Sequence, residues 1–160
     1  SSVTFSGLGA YSDYKHLQIR AAVRYVSTSS GGWNDTLEIV FNDDTGLNYA
    51  HHKLQGDGSS VTSSAVSSDN SIQINNAMPR DEGAANIFGG LVIDILDFAS
   101  TSKNTTTRAL AGALNTNETN ILLSSGLYNS TSAITKVTFP TYQPGQGFVS
   151  GTRFSLYGVK

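Results

Sequence analysis

Short segments in which apolar and polar residues alternate recur along this chain, and the alternation constrains its fold more than any other feature. Between residues 14 and 26, Leu17 and Ile19 alternate with Gln18 and Arg20. Successive side chains of a β-strand point to opposite faces, so the pattern predicts a strand with one buried and one solvated face. The predicted inward set is Leu17, Ile19, Ala21, Val23 and Tyr25, and the predicted outward set is Gln18, Arg20 and Arg24.

Seven further segments have strand-like patterns, and turn residues separate them. These predicted strands are 35–42, 49–54, 91–98, 105–114, 121–128, 133–139 and 153–159. The segment 56–76 is rich in serine and has few apolar residues, so we expect an irregular excursion or edge strands there. No segment has the apolar period of a helix. The pattern predicts an all-β fold, an antiparallel β-sandwich of the jelly-roll or lectin-like type, over the single domain 1–160.

The low charge of the chain limits its partners. Charged residues make up 14% of the sequence, against roughly 25% in an average soluble domain. The net charge is −2 and the basic residues are scattered, which argues against a nucleic-acid partner because phosphates need clustered Lys and Arg. No apolar run approaches the roughly 18 residues that cross a bilayer, so no membrane partner is expected. The chain has no cysteine, which excludes disulfides and thiolate metal sites.

Residues that could act in catalysis form no recognised catalytic pattern. No G-x-S-x-G motif occurs, and Ser59 lies in a Gly-Asp-Gly-Ser-Ser stretch typical of a turn. His51 and His52 are adjacent on a predicted strand and so face opposite sides. Asp94 and Asp97 are three residues apart, an odd number, and are also predicted on opposite sides. We therefore predict a protein that is not an enzyme and that uses no cofactor.

One loop could hold a cation. Asp43, Asp44 and Asn48 follow a predicted strand and carry the oxygen ligands that Ca²⁺ prefers. The loop lacks the full ligand sequence of a known calcium loop, and Asp and Asn also form turns with their own backbone. The sequence favours the turn and leaves calcium as the alternative.

Aromatic residues in or beside loops are candidates for a contact surface. Trp33, Tyr142, Tyr11 and Tyr49 have polar neighbours, and an exposed ring offers a large contact area at a low entropic cost. The alternative is that such rings fill the ends of the sandwich.

Several segments together resemble a known family. They are SSVTFSGLGAYSDYKHLQIRAAVR (1–24), FNDDTGLNYAHHKLQGDGSS (41–60), GLVIDILDFASTSKNTTTRALAG (90–112), SGLYNSTSAITKVTF (125–139) and the terminal GTRFSLYGVK (151–160). The chain resembles virion structural proteins of tailed bacteriophages, of the tail-fibre or head-decoration type, which end in a GSRFSLYG-like motif. Members usually have a further strand before the segment that resembles SSVTF, so we expect that an N-terminal strand or leader is missing from the sequence.

The resemblance implies a non-enzymatic protein on the virion surface, assembled in the host cytoplasm. It would be either a tail-fibre or receptor-binding domain, or a capsid-decoration or head-fibre protein. The implied partners are other virion proteins and, for a fibre, a host-surface glycan or receptor. A homo-oligomer is expected, with a trimer as one form.

Two alternatives belong to other classes of protein. The first is a carbohydrate-binding module of a secreted bacterial protein, for which calcium at Asp43 and Asp44 would be expected. The second is an enzyme such as a depolymerase, which would need paired carboxylates from separate strands. Asp94 would then have to meet Glu38 or Asp35.

Overall fold

The protein is built from strands in two packed antiparallel sheets. The structure is a computed structural model that describes residues 2–27, 34–115, 119–141 and 145–160. The strands are β1 Val3–Ser6, β2 His16–Val23, β3 Tyr25–Val26, β4 Asn34–Phe41, β5 Tyr49–Gly56, β6 Val61–Asp69, β7 Ile72–Pro79, β8 Gly89–Leu96, β9 Thr105–Leu114, β10 Thr119–Tyr128, β11 Lys136–Phe139, β12 Gly147–Phe148 and β13 Arg153–Val159. In these ranges the single helical element is a 3₁₀ turn, Leu8–Tyr11, and no helix is long and apolar enough to cross a membrane.

The two sheets differ in width. The larger has seven strands in the order β13-β2-β8-β9-β10-β5-β6, and the smaller has four in the order β1-β11-β4-β7. The two-residue strands β3 and β12 pair with each other outside both sheets. The predicted antiparallel β-sandwich is confirmed, and β9 and β13 match the predicted segments 105–114 and 153–159 residue for residue.

The serine-rich segment 56–76 forms regular strands. It contributes all of β6 and the first part of β7. In β7, Ile72 and Ile74 are fully buried between the sheets. The prediction of an edge strand is confirmed for β6, which ends the seven-stranded sheet.

Large and small residues complement each other between the sheets. The inner side of β9 carries Ala109 and Ala111, both buried, and β10 adds Gly126. A Cβ atom built on Gly126 would lie 2.6 Å from Cγ2 of Ile72. The absence of a side chain at this position therefore lets β7 approach the middle of the larger sheet at close-packed density.

The predicted exposure of Arg24 is wrong. The alternation placed it on the solvated face, but its side chain is buried, because β2 ends at Val23 and the chain turns there. The guanidinium Nη2 donates to the carbonyl oxygens of Asp81 (3.0 Å) and Gly83 (3.3 Å). Arg24 thus ties the loop after β7 to the end of β2.

The edge strand β6 has no core contact. All of its residues from Val61 to Ser68 are exposed, on both faces, because the narrower sheet ends at β7 and does not extend beneath it. Its pairing partner is β5, with which it forms an antiparallel ladder. The segment 61–68 carries no charge, although charged side chains are a usual protection of free strand edges.

Asn42 fixes the turn after β4. Its φ is +52°, in the left-handed region that few non-glycine residues adopt. Its Oδ1 accepts hydrogen bonds from the amides of Thr135 (2.8 Å) and Lys136 (3.2 Å), and its Nδ2 donates to the carbonyl of Ala133 (3.0 Å). One side chain therefore attaches the loop before β11 to the end of β4.

Gly126→Ala should lower the free energy of unfolding by about 1–3 kcal/mol, because the new methyl group would overlap Ile72 and Thr107. Chemical denaturation measures this difference. The matched control is Gly90→Ala, whose Cβ would have no neighbour within 4 Å and which should change the free energy by less than about 1 kcal/mol. Equal effects of the two substitutions would contradict the packing described.

Amide hydrogen exchange should separate β6 from the central strand β9. Backbone amides of β6 that point away from β5 should have some of the highest exchange rates among the strands. Amides of β9, which is paired on both sides, should have some of the lowest. Equal protection of the two strands would show that the edge of β6 is covered.

Candidate functional site

The outer face of the seven-stranded sheet is unusually apolar. We call its exposed aliphatic side chains the aliphatic face. They are Leu54, Val61, Val92, Leu110, Leu114, Ile121 and Leu123, and each is between 38 and 72% exposed. They come from five neighbouring strands, β8, β9, β10, β5 and β6, so they form one continuous surface.

Strand register aligns four of these side chains in a row. Val92 pairs with Leu110, Leu110 with Leu123, and Leu123 with Leu54. Paired residues of neighbouring strands project on the same side of a sheet. Since strands lie about 4.8 Å apart, the row is about 14 Å wide.

A second row beside the first is rich in glycine. Gly90 pairs with Gly112, Gly112 with Ile121, and Ile121 with Gly56. A Cβ atom on Gly112 would meet no atom closer than 4.0 Å, and one on Gly90 none within 4 Å. The glycines therefore leave a shallow depression on either side of Ile121, whose side chain projects from the sheet.

Polar residues border the aliphatic face on the other side of the leucine row. Arg108 donates to Asp94 (2.8 Å), and Gln18 donates to the same carboxylate (2.9 Å). Partial burial raises the pKa of Asp94, but the hydrogen bonds from Gln18 and Arg108 outweigh it and hold the pKa below its usual value. The carboxylate is therefore charged and paired at neutral pH.

Charges of opposite sign lie at opposite ends of the aliphatic face. Arg20 on β2 and Arg153 on β13 are exposed at one end. Asp57 lies at the other end, in the turn between β5 and β6. Among the described residues none of the three forms an ion pair.

The aliphatic face can bind but offers no reactive group. Its side chains carry no proton donor, acceptor or nucleophile, so the available driving force is removal of apolar surface from water. Seven exposed aliphatic side chains on five neighbouring strands form a contiguous apolar patch, whereas exposed apolar residues of a monomer are usually scattered singly. Such an area is typical of a surface that another molecule covers.

The predicted calcium candidates form a turn. Asp44 Oδ1 accepts from the amide of Gly46 (2.8 Å), which closes an Asx-type turn. Its Oδ2 accepts from Asn48 Nδ2 (2.9 Å). Asp43 points elsewhere and pairs with Lys136 at 2.8 Å. In the described part of the chain, no three His, Asp or Glu residues lie where they could hold one metal ion.

Tyr49 is not a surface residue, and its prediction as a contact residue is wrong. Only 1% of Tyr49 is exposed, and its ring stacks on that of Tyr128 with centroids 4.9 Å apart. Its hydroxyl accepts from the amide of Phe41 (3.0 Å) and donates to the carbonyl of Asp44 (2.9 Å). Both partners are backbone groups, one at the end of β4 and one in the turn that follows it, so Tyr49 lies beneath this turn.

Tyr11 is exposed, as expected of a contact residue. It lines a crevice between the free edge strands β1 and β13, together with Phe5, Leu8, Tyr14 and Leu156. The other two predicted contact residues, Trp33 and Tyr142, lie outside the described residues.

The histidine and carboxylate pairs are separated as predicted. His51 is buried and His52 exposed on the opposite face. Asp94 lies on the outer face of β8, whereas Asp97 follows that strand and pairs with Lys103 at 2.7 Å. The carboxylates of an enzymatic alternative do not meet, because Glu38 lies in the other sheet, where Ser71 donates to it, and Asp35 pairs with Arg80.

Sequence reasoning missed the aliphatic face because β9 inverts the usual pattern. Its alanines point inward and its leucines, Leu110 and Leu114, point outward. The signal was present in the alternation of Ala with Leu in residues 109–114 and in the uninterrupted Ile121-Leu122-Leu123 run. Only the register shows that these leucines share one surface.

Tyr128→Phe should destabilise the protein by about 1.5–3 kcal/mol at pH 7, because it removes the hydrogen bond from the Tyr128 hydroxyl to Asp44 Oδ2 (2.9 Å). Hydrogen bonds from Gly46, Asn48 and Tyr128 lower the pKa of Asp44 from 3.8 against a raising effect of burial. A lowered carboxyl pKa stabilises the fold above the unfolded-state pKa, and that stabilisation is lost as the pH falls.

The difference between Tyr128→Phe and the wild type should therefore shrink below about pH 4. Urea denaturation at pH 7 and pH 3 measures it. Tyr157→Phe, at an exposed tyrosine, is the control and should change the free energy by less than about 0.5 kcal/mol. A difference that does not depend on pH would contradict the role given to Asp44.

Comparison with known proteins identifies no relative of this chain. No protein-family model, curated protein or solved structure matches the chain. The candidate site therefore rests on the chain's own residues and their arrangement.

Proposed function

We propose that this chain is a non-enzymatic structural protein of a bacteriophage virion surface. It would serve either as a tail-fibre or receptor-binding domain or as a capsid-decoration or head-fibre protein. The observation that carries the proposal is the aliphatic face, since a protein that works as part of an assembly needs a surface of this kind.

The character of the aliphatic face favours permanent assembly over transient binding. Large interfaces that stay formed are more apolar than transient ones and have few charges at their centre. Here the centre of the face consists of Leu110, Leu123 and Ile121, with the charged residues at its borders. In a protein that remains a monomer, these exposed leucines would be in contact with water, which is energetically unfavourable.

The rest of the molecule suits exposure on a particle. The backbone is paired in long ladders, and β9 and β10 pair over ten residue positions. The low charge of the chain and its many hydroxyl and amide side chains limit non-specific binding. The segments that resemble tailed-phage virion proteins include β1, β2, β5, β11 and β13 and most of β8 and β9, so the resemblance covers strands of both sheets.

The crevice at Tyr11 bears on the choice between the two virion roles. It is an aromatic-lined depression at an open side of the sandwich, with Thr4 and Ser6 at its border. Aromatic rings beside hydroxyl groups suit a sugar ring. A tail-fibre domain would use such a crevice on a host glycan, whereas a decoration protein needs only the aliphatic face.

The test is to locate the chain on intact particles of the phage that encodes it. Purified DNA-filled virions should label with antibodies against the chain, and cryo-electron microscopy should place its density. Label on the shell supports the decoration role, and label at the tail tip supports the receptor-binding role. Antibody preabsorbed with the purified chain is the control. Purified virions that contain none of the chain would overturn the proposal.

A further inference from the structure

We propose that the aliphatic face binds a second copy of this chain, across a two-fold axis that runs parallel to the strands between β9 and β10. The inference deepens the proposed function and rests on it, because it names the occupant of the surface on which that function depends. Area, shape and charge each support this occupant.

The area is sufficient for a stable pair. A standard protein interface takes about 800 Å² from each partner. The seven side chains of the aliphatic face are between 38 and 72% exposed, and the glycine row and the aliphatic parts of the bordering arginines extend the surface further. Packing of one face on its copy would give an apolar layer like that between the two sheets of a sandwich.

The strand order places the axis. On one side of it lie β9, β8, β2 and β13, and on the other β10, β5 and β6. Rotation about an axis between β9 and β10 therefore sets β9 over β10 of the copy, β8 over β5, and β2 over β6. Each of the five strands that carry the aliphatic side chains has a counterpart, which is the self-complementarity that a two-fold interface requires, and β13 alone extends past the edge of the copy.

Shape supports the same axis. Ile121 and Gly112 pair across β10 and β9, so the rotation brings Ile121 of one copy over Gly112 of the other, twice. The space above Gly112 is open, since a Cβ atom there would meet nothing closer than 4.0 Å. At the same level, Val61 of one copy lies over Ala22 of the other. Large residues thus meet small ones in this row, whereas in the leucine row Leu110 of one copy lies over Leu123 of the other.

Charge selects this axis over the perpendicular one. Arg153 is level with Ala22, Gly112, Ile121 and Gly56 through successive strand pairs. The rotation sets β13 of one copy just outside β6 of the other. Arg153 of one copy and Asp57, in the turn between β5 and β6 of the other, then lie at the same rim of the interface. An axis perpendicular to the strands would instead set β2 and β13 on their own copies and oppose arginine to arginine. Opposite charges at the rim favour correct encounter, and like charges oppose the wrong one.

The first test is the mass of the purified chain in solution, by analytical ultracentrifugation. At concentrations on the order of 100 μM we expect twice the chain mass of 16.9 kDa. Leu123→Lys should raise the dissociation constant at least about tenfold, since it places a charge at the centre of the interface. Leu47→Lys is the matched control, because Leu47 is 72% exposed but lies in the loop before β5, away from the aliphatic face.

The second test addresses the axis. Gly112→Ile and Ile121→Gly should each weaken the pair, and the double variant should recover at least part of the loss, because large and small residues then exchange places across the interface. Both positions are on the outer face, so circular dichroism and thermal unfolding should confirm that each variant is folded. Arg153→Glu should also weaken the pair, and at least as strongly at low salt.

A single-chain mass throughout this concentration range would overturn the inference, as would equal effects of Leu123→Lys and Leu47→Lys. A three-chain mass would overturn the two-fold arrangement. A monomer that binds a different virion protein through Leu123 would assign the face to that partner instead. These measurements use the isolated chain, so they are independent of virion labelling. If virions label but the chain is monomeric, the proposed function holds and the dimer is rejected. If the chain is dimeric but absent from virions, the dimer holds and the proposed function is rejected.

Discussion

The close approach of β7 to the middle of the larger sheet is the constraint on which the rest of the structure depends. Ile72 and Ile74 occupy the space between the sheets there, and the small inward residues Ala109, Ala111 and Gly126 of β9 and β10 make room for them. Leucines of the same two strands, among them Leu110 and Leu123, lie on the opposite side. Because the smaller sheet also ends at β7, it leaves the edge strand β6 uncovered. The packing of the core, the exposed leucines and the uncovered edge strand are therefore all related to the position of β7.

The strand positions could be predicted from sequence because period-two alternation is a local property, and β4, β9 and β13 follow it closely. Orientation could not be predicted wherever the alternating residues were apolar on both sides, as in β9. Arg24 was misplaced because it binds the loop after β7, which is distant in the sequence. Tyr49 was misplaced because the turn at Asp44 covers it and the ring of Tyr128, distant in the sequence, stacks on it. The turn at Asp44 was favoured correctly, since its hydrogen bonds join residues two to four positions apart.

The surface of this protein divides its functions between regions. Apolar side chains concentrate on one sheet face, while charged side chains there stand at the borders, paired in the case of Asp94 and Arg108. Such a division lets burial supply affinity and lets charge set orientation, without placing an unpaired charge in a dry interface. The aromatic crevice at Tyr11 lies between β1 and β13, so occupation of one surface leaves the other available.

Asn42 has a consequence for how this sequence can evolve. Glycine at this position would keep the left-handed backbone but lose the hydrogen bonds to the loop before β11, and alanine would lose both. Aspartate would keep the acceptor, lose the donor to Ala133, and place a second negative charge beside Asp43. No substitution meets both the conformational and the hydrogen-bonding demand. Divergent members of this lineage should therefore retain asparagine here long after the exposed serines of β6 have changed.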